Sequence, residues 1–444
     1  MRIAFLPSSY IPESLGGTEI YVHQLSQALV ALGHQVAVVL HAAGTNSAAC
    51  EDGYQVFRLP EYLPQRRADL YLHGRGDDPK EFSRLLDEWL PDVVHFHALT
   101  LGAGLDHARA VRRRGLPYFI TYHTPTFSCH RGTLMRWGNE VCDGVIRPRL
   151  CTACTLHGYR VPKLLAGLLA LSPLPWALLP DGPWIPRLAL PSLLKDGLRA
   201  WREFMHGAAH LVACADWCRR LLVDNGLPTE RVSVHRQALP GENRTRRLRL
   251  PLPERRPLRL GFFGRFSWIK GPDLFLDGLR CLQNRGVSAV GELVGPVAEP
   301  EQAWADQLLA KASGQATYLG IKRESALTEW VDTLDLVVIP SRWLETGPLT
   351  LLEAWDCGVP VVGADLGGIP DFMRSGPMDE LLFRPEDPHS LADAVLRAIN
   401  WQGLPGPEVS IPGMAALGRR MEGLYQAAVC QPRLRPPIAC SGRK

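Results

Sequence analysis

Two glutamates with seven residues between them, Glu345 and Glu353, stand on either side of Pro348 in the stretch IPSRWLETGPLTLLEAWDCGVPVV, residues 339 to 362. Proline at the first position of a helix costs no hydrogen bond, because that N–H has no partner inside the helix, and the free N–H groups beside it favour an anion. A phosphate is the natural occupant of such a turn, with Leu349 and Thr350 supplying N–H groups. A second pair, Arg265 and Lys270 in GRFSWIKG, precedes another helix that opens at Gly271-Pro272. A cation at a helix start is unfavourable to the macrodipole by about 0.3–1 kcal/mol, so two of them close together call for an anion between them. The plainer reading of each residue is a solvated side chain, since charged groups are mostly exposed.

The elements around these residues determine which reading holds. Apolar runs at Leu258–Phe263, Ala289–Val294, Thr317–Leu319, Leu334–Ile339 and Val359–Val362 alternate with helical stretches, the pattern of βαβ units and a parallel sheet. Both charged pairs then follow strand ends, and open α/β sheets bind ligands at the carboxyl edge of their strands. The first half repeats the pattern, with strands at Arg2–Leu6, Val36–Leu40, Val56–Leu59, Val93–His97, Tyr118–Tyr122, His210–Ala213 and Val232–Val234. Gly16 and Gly17 lie where the first strand hands over to a helix, which suits a plain tight turn as well as a close backbone approach to phosphate or sugar. His97 and His123 each follow a strand and could point into a crevice or fill the core.

Between His123 and about Leu198 the alternation breaks into a Cys- and Pro-rich insertion. Cys129, Cys142, Cys151 and Cys154 fall in it, separated by twelve, eight and two residues. Two residues between Cys151 and Cys154 let both sulfurs reach one ion, and four thiolates close a tetrahedral site, so one structural zinc is expected. Unligated thiols, or a redox pair at Cys151 and Cys154, are the alternatives. The expectation leans on a stretch, Phe127 to Thr155, without strand or helix periodicity, whose ordering a metal would then have to repay. Further on, Leu164–Leu171, Trp176–Leu179 and Trp184–Leu194 are rich in Leu, Trp and Pro. Prolines break them below the length of a membrane span, which leaves a core patch or an apron on a membrane surface.

A length of 444 residues implies two domains, and 46% hydrophobic with 21% charged residues is an ordinary globular composition. A net charge of +4 carries no nucleic-acid footprint. The N-terminus MRIAFLPSSY lacks the apolar region of a signal peptide, so a cytoplasmic protein is expected, at the inner face of the membrane if the apron docks there. Eleven cysteines in that reducing setting read as thiols or metal ligands rather than disulfides.

Taken in order, GGTE after the first strand, TYHTP, GRFSWIKG and the paired glutamates followed by GVPV closely resemble the signature of retaining, nucleotide-sugar-dependent glycosyltransferases of family 4. The resemblance implies the GT-B fold, an α/β arrangement of two Rossmann-like domains facing across a cleft. It implies an N-terminal acceptor-side domain, here over 1–240 and interrupted by the insertion at about 124–200, and a nucleotide-sugar domain over 258–412, while the composition of 241–257, rich in arginine and proline, reads as the linker between them. A helix over 413–430 then packs back on the first domain, and 431–444 reads as a disordered basic tail. In the family Gly16 and Gly17 form the donor-phosphate loop, and His123 is the acceptor-side histidine of the catalytic site. Arg265 and Lys270 clamp the pyrophosphate, Gly320 lies beside the nucleobase, Glu345 orients the donor sugar, and Glu353 bonds the ribose hydroxyls.

The implied reaction moves a sugar from a nucleoside diphosphate to a hydroxyl of a glycan or lipid-linked acceptor, with no cofactor for the chemistry. The insertion, and Trp355-Asp356 where smaller residues are common, depart from the family pattern. Two rivals remain at this level: a sugar-nucleotide epimerase of related fold, and an inactive, zinc-stabilised binding module.

Overall fold

The computed structural model describes residues 1–12, 16–44, 47–178, 186–252, 257–312, 314–374, 377–403 and 405–430. The expected basic tail 431–444, Arg255 and Arg256 of the expected linker, and 179–185 of the Leu/Trp-rich region lie outside the described residues. The chain divides into two compact units. One comprises Met1–Cys214, Cys218–His235 and the segment from Ala415 onward, and the other Ala215–Trp217 and Arg236–Met414.

The first unit is built on an eight-stranded sheet in the order β10-β9-β6-β5-β1-β2-β4-β3. Its strands are β1 (Arg2–Leu6), β2 (Gln35–Ala42), β3 (Ser47–Glu51), β4 (Tyr54–Pro60), β5 (Val93–Phe96), β6 (Tyr118–Tyr122), β9 (His210–Ala213) and β10 (Val232–Val234). All neighbours are parallel except β3, which pairs antiparallel with β4. Every residue of β5 and β6 is buried, as expected where helices cover both faces of a parallel sheet. The last helix, Met414–Cys430, places Tyr425 against this sheet, with its hydroxyl 2.7 Å from His95 Nδ1, and Glu422 3.1 Å from His34 Nε2.

The insertion differs from its expected irregularity. It contains the hairpin β7 (Met135–Arg136) and β8 (Glu140–Val141) and helices Pro148–Gly158 and Lys163–Leu169, and it leads into the long helix Leu190–Gly207. Leu156, Val161, Ala166, Leu190, Leu193 and Leu194 close into an apolar core with Ala68 of the helix Ala68–Leu72. The ordering entropy that seemed to call for a metal is therefore offset by burial.

The second unit holds a six-stranded, all-parallel sheet in the order β14-β13-β12-β15-β16-β17. The strands are β12 (Leu258–Phe263), β13 (Ala289–Val294), β14 (Ala316–Tyr318), β15 (Leu336–Ile339), β16 (Val361–Ala364) and β17 (Leu382–Phe383). Numbered along this unit the order is 3-2-1-4-5-6, the doubly wound arrangement, and its direction reverses between β12 and β15. Part of the expected linker is itself structured: β11 (Arg244–Arg247) pairs antiparallel with β18 (Glu408–Ile411) inside this unit. Arg244 and Arg246 both reach the carboxylate of Asp356. Among the described residues no helix is long and apolar enough to cross a membrane.

Candidate active site

The switch point of the second sheet carries the densest set of functional side chains. Strand β12 ends at Phe263, and the chain turns through Gly264 and Arg265 into a short turn at Trp268–Lys270, which leads into the helix Pro272–Asn284. Strand β15 ends at Ile339, and the loop Pro340–Gly347 leads into the helix Leu349–Asp356. One pocket is lined by Gly264, Lys270, Ser341, Glu345, Pro348 and Thr350, among others. Lys270 Nζ donates to Glu345 Oε1 at 2.6 Å, and Ser341 Oγ donates to the same oxygen at 2.6 Å. Burial opposes ionisation of Glu345, but the charge and hydrogen bond of Lys270 outweigh it and hold the carboxyl below its usual range. The ion pair is thus intact near neutrality. The helix behind Pro348 has no side-chain cap, so its first-turn N–H groups favour an anion.

Arg342, which the sequence reading passed over, fixes this geometry. Its guanidinium is buried, bonds both oxygens of Asp273 at 2.7 and 2.9 Å, and donates to Trp268 O at 2.9 Å. Its own N–H donates to Ile269 O at 2.8 Å, so the loop after β15 and the turn that carries Lys270 are one piece. The Glu345 carbonyl accepts from Gly368 N and from Trp217 Nε1, both at 2.7 Å. Ser341 and Arg342 sit in the same strand-end loop as Glu345, and that position was the signal that could have found them. Trp217 is distant in sequence and gave none.

The remaining expected residues are less closely assembled. Arg265 is exposed, and the pocket lining does not include it, Gly320, Leu349 or Glu353. Glu353 is partly buried on the helix behind Pro348, and desolvation pushes its carboxyl up to about 7. Gly320, at the end of β14, has φ +73° and accepts at its carbonyl from Gly295 N at 2.9 Å.

In the first unit Gly16 caps the helix Gly17–Ala31 with extended backbone and no side-chain cap, beside Glu19, which accepts from Ser9 Oγ at 2.5 Å. The structure places His123 in the interior. Rather than opening to a crevice, it is buried at the end of β6, with Nε2 3.0 Å from His97 Nδ1 and Nδ1 3.9 Å from the Cys214 thiol. Tyr21 packs edge-on against it, and burial lowers its pKa to about 3. In this arrangement it is a neutral core group.

The four cysteines of the expected zinc site lie in one part of the insertion. Cys129, Cys142, Cys151 and Cys154 line one cavity, unbridged. Among the described residues, however, no group of three or more His, Cys, Asp or Glu is placed to hold a metal ion. Cys154 Sγ accepts from Trp137 N at 3.3 Å, and burial pushes the Cys151 thiol up to about 11. All four are half-buried and unbridged.

A doubly wound sheet with an anion-favouring helix start and a Lys–Glu pair at its switch point has the arrangement at which open α/β sheets bind ligands. Comparison with known proteins gives the class. Residues 15–164 match Glycosyltransferase Family 4 and residues 257–400 match Glycosyl transferases group 1. The chain belongs to this glycosyltransferase family, whose members have the GT-B fold. It is 34% identical over 140 residues to the lipopolysaccharide core biosynthesis mannosyltransferase LpsB of Rhizobium meliloti, a match spanning 30% of this chain and 39% of LpsB. It is 27% identical to the D-inositol 3-phosphate glycosyltransferase of Frankia alni over 87% of both chains. In fold it resembles HepE of Anabaena in complex with UDP and glucose, with a TM-score of 0.57 at 15% identity, covering 96% of this chain and 100% of HepE.

Proposed function

We propose that the protein transfers a sugar from a nucleoside diphosphate to an acceptor hydroxyl, with retention at the anomeric carbon, in the synthesis of a glycan or glycolipid. The observation that carries this reading is the Lys270–Glu345 pair beside an uncapped helix start at the switch point of the second unit. Breaking the bond from the anomeric carbon to phosphate places negative charge on the departing diphosphate. Fixed donors aimed at that charge lower the barrier more than they stabilise the bound donor. Lys270 has three N–H bonds and Glu345 takes one, so two remain for phosphate oxygens. The N–H groups of Leu349 and Thr350 add to it, and Arg265 extends the cationic side. The acceptor hydroxyl bonds to the anomeric carbon on the face the diphosphate leaves, and its proton passes to a phosphate oxygen. Glu345 holds Lys270 in place and orients the donor sugar, and Glu353 accepts from the ribose hydroxyls. HepE was crystallised with UDP and with UDP-glucose, which supports a nucleotide-sugar donor of that kind here.

The test is a mass-spectrometric screen of nucleotide sugars with purified protein. Release of free nucleoside diphosphate from one donor class is expected, slowly without acceptor and faster with one. Interconversion of the sugar without diphosphate release would indicate an epimerase and sink the transferase reading.

Two expectations follow for solution conditions. Chelators should leave donor consumption intact, because the sequence contains no Asp-x-Asp pair to hold a divalent ion on the diphosphate and cationic side chains supply that charge. A strict magnesium requirement would contradict the clamp. Donor affinity should also rise with pH around neutrality. With its carboxyl pushed up to about 7, Glu353 is mostly protonated at pH 6 and mostly ionised at pH 8, and the ionised form is the better acceptor for ribose hydroxyls. Titration calorimetry with the nucleoside diphosphate should show roughly tenfold tighter binding across that range, flattened in Glu353→Gln. The contribution of Glu353 to fold stability runs the opposite way. The folded state keeps the proton that the unfolded state has already lost, so this contribution is fully present below the ordinary carboxyl range and is lost as pH rises through about 7.

A further inference from the structure

The helix Lys163–Leu169 in the insertion is turned the wrong way round for a helix covered by its own protein. Within it only Ala166 is buried, and Ala170 joins the same small apolar core. Its bulky side chains point outward: Leu164 is 88% exposed and Leu168 68%, with Leu165 also exposed. Leu164 and Leu168 are four positions apart and so share one face. Leu171, Leu178 and Leu188, on segments flanking that core, are exposed as well. Scattered surface leucines are ordinary, whereas a group of them around one small core is an interaction face.

The charge around this face indicates what covers it. From Asp143 to Asp196 the sequence carries six Lys or Arg against three acids, of which Asp143 pairs with Arg147, Asp196 pairs with Arg199, and Asp181 lies outside the described residues. Arg160, Lys163, Arg187 and Lys195 are all exposed. We infer that this face seats on an anionic lipid bilayer, with the leucines entering the headgroup boundary and the cations meeting lipid phosphates. Apolar side chains beside Lys and Arg on a surface helix are the composition of an interfacial anchor, and long cationic side chains reach back to the headgroups while their stems stay apolar. A second copy of the chain fits less well. A two-fold interface sets a patch against itself, which would bring this cationic rim against its own charge. The attachment is peripheral, because no described helix can cross a membrane.

The test is flotation of the full chain with phosphatidylcholine vesicles, with and without phosphatidylglycerol, at low salt. Wild type should float with the anionic vesicles, stay at the bottom with the neutral ones, and be released as salt is raised. Leu164→Glu with Leu168→Glu should reduce the bound fraction at least about tenfold with an unchanged thermal transition, because both side chains are already in solvent. Lys163→Glu should weaken binding about fivefold, the scale of one basic residue at an anionic surface. Wild type remaining at the bottom with anionic vesicles, or the double variant floating as wild type does, overturns the inference. Concentration-dependent self-association that the double variant abolishes, without vesicle binding, would assign the face to a second copy instead.

Discussion

Lys270→Ala is expected to lower turnover of the nucleotide sugar by about 10²–10³-fold, the scale of losing one preorganised donor to transition-state charge. The effect should appear mainly in kcat, since the charge that Lys270 meets grows as the diphosphate leaves. Lys270 is held by Glu345 at 2.6 Å, and its turn is tied to the neighbouring loop through Arg342 and Asp273. Removing it has a second consequence: Glu345 is left buried without its cation, in surroundings that otherwise push its carboxyl upward. The expected loss of stability is about 1–3 kcal/mol, below the range for a fully buried pair because the Lys270 side chain keeps 24% of its surface in solvent. The two consequences separate in Lys270→Ala with Glu345→Gln. That double variant should recover much of the melting temperature, because no unpaired buried charge remains, and recover none of the turnover. Single-variant turnover within about tenfold of wild type would reject Lys270 as the charge-stabilising residue.

The sites that were legible in the sequence are those announced by a strand end. Runs such as RIAFL, LRLGFF and LVVI are buried along nearly their whole length, and near-continuous apolar stretches are how strands of a covered parallel sheet read. Once β12 and β15 are placed, Lys270 and Glu345 follow, because both lie just past a carboxyl edge. The direction of a side chain at such an edge was not legible. All five residues of β6 are buried, so no polar–apolar alternation indicated whether His123 would face a crevice or the interior, and it took the interior. The helix Pro148–Gly158 escaped notice because Cys151, Thr152, Ala153, Cys154 and Thr155 form no apolar stripe. Strand β11 escaped because its sequence is RTRR, with three of four residues exposed and its arginines held by acids far along the chain. Arg342 was hidden for a related reason: its partner Asp273 belongs to a different strand–helix unit, and only the sheet order brings the two together.

Gly271→Ala, a change of one methyl group with no charge involved, should be the most damaging small substitution near the site. Gly271 caps the helix Pro272–Asn284 at φ +74°, a region where a side chain carries a cost of about 1–2 kcal/mol. A Cβ there would also lie 2.1 Å from the carbonyl oxygen of Pro340, so either the turn ending at Lys270 or the loop leading to Glu345 has to move. The two costs together are about 2–4 kcal/mol, or roughly 5–10 °C in melting temperature for a unit of this size. Activity should fall further than stability, because displacing a catalytic group by an ångström can cost about 10²-fold. Gly286→Ala provides the comparison. Gly286 has φ +78°, but a Cβ there meets nothing within 4 Å, so it carries the backbone cost without the collision. It should lose about 1 kcal/mol and keep full turnover. If folded Gly271→Ala turns over donor as fast as Gly286→Ala does, the contact with Pro340 does not set the position of Lys270, and the turn is held by the Arg342–Asp273 tie alone.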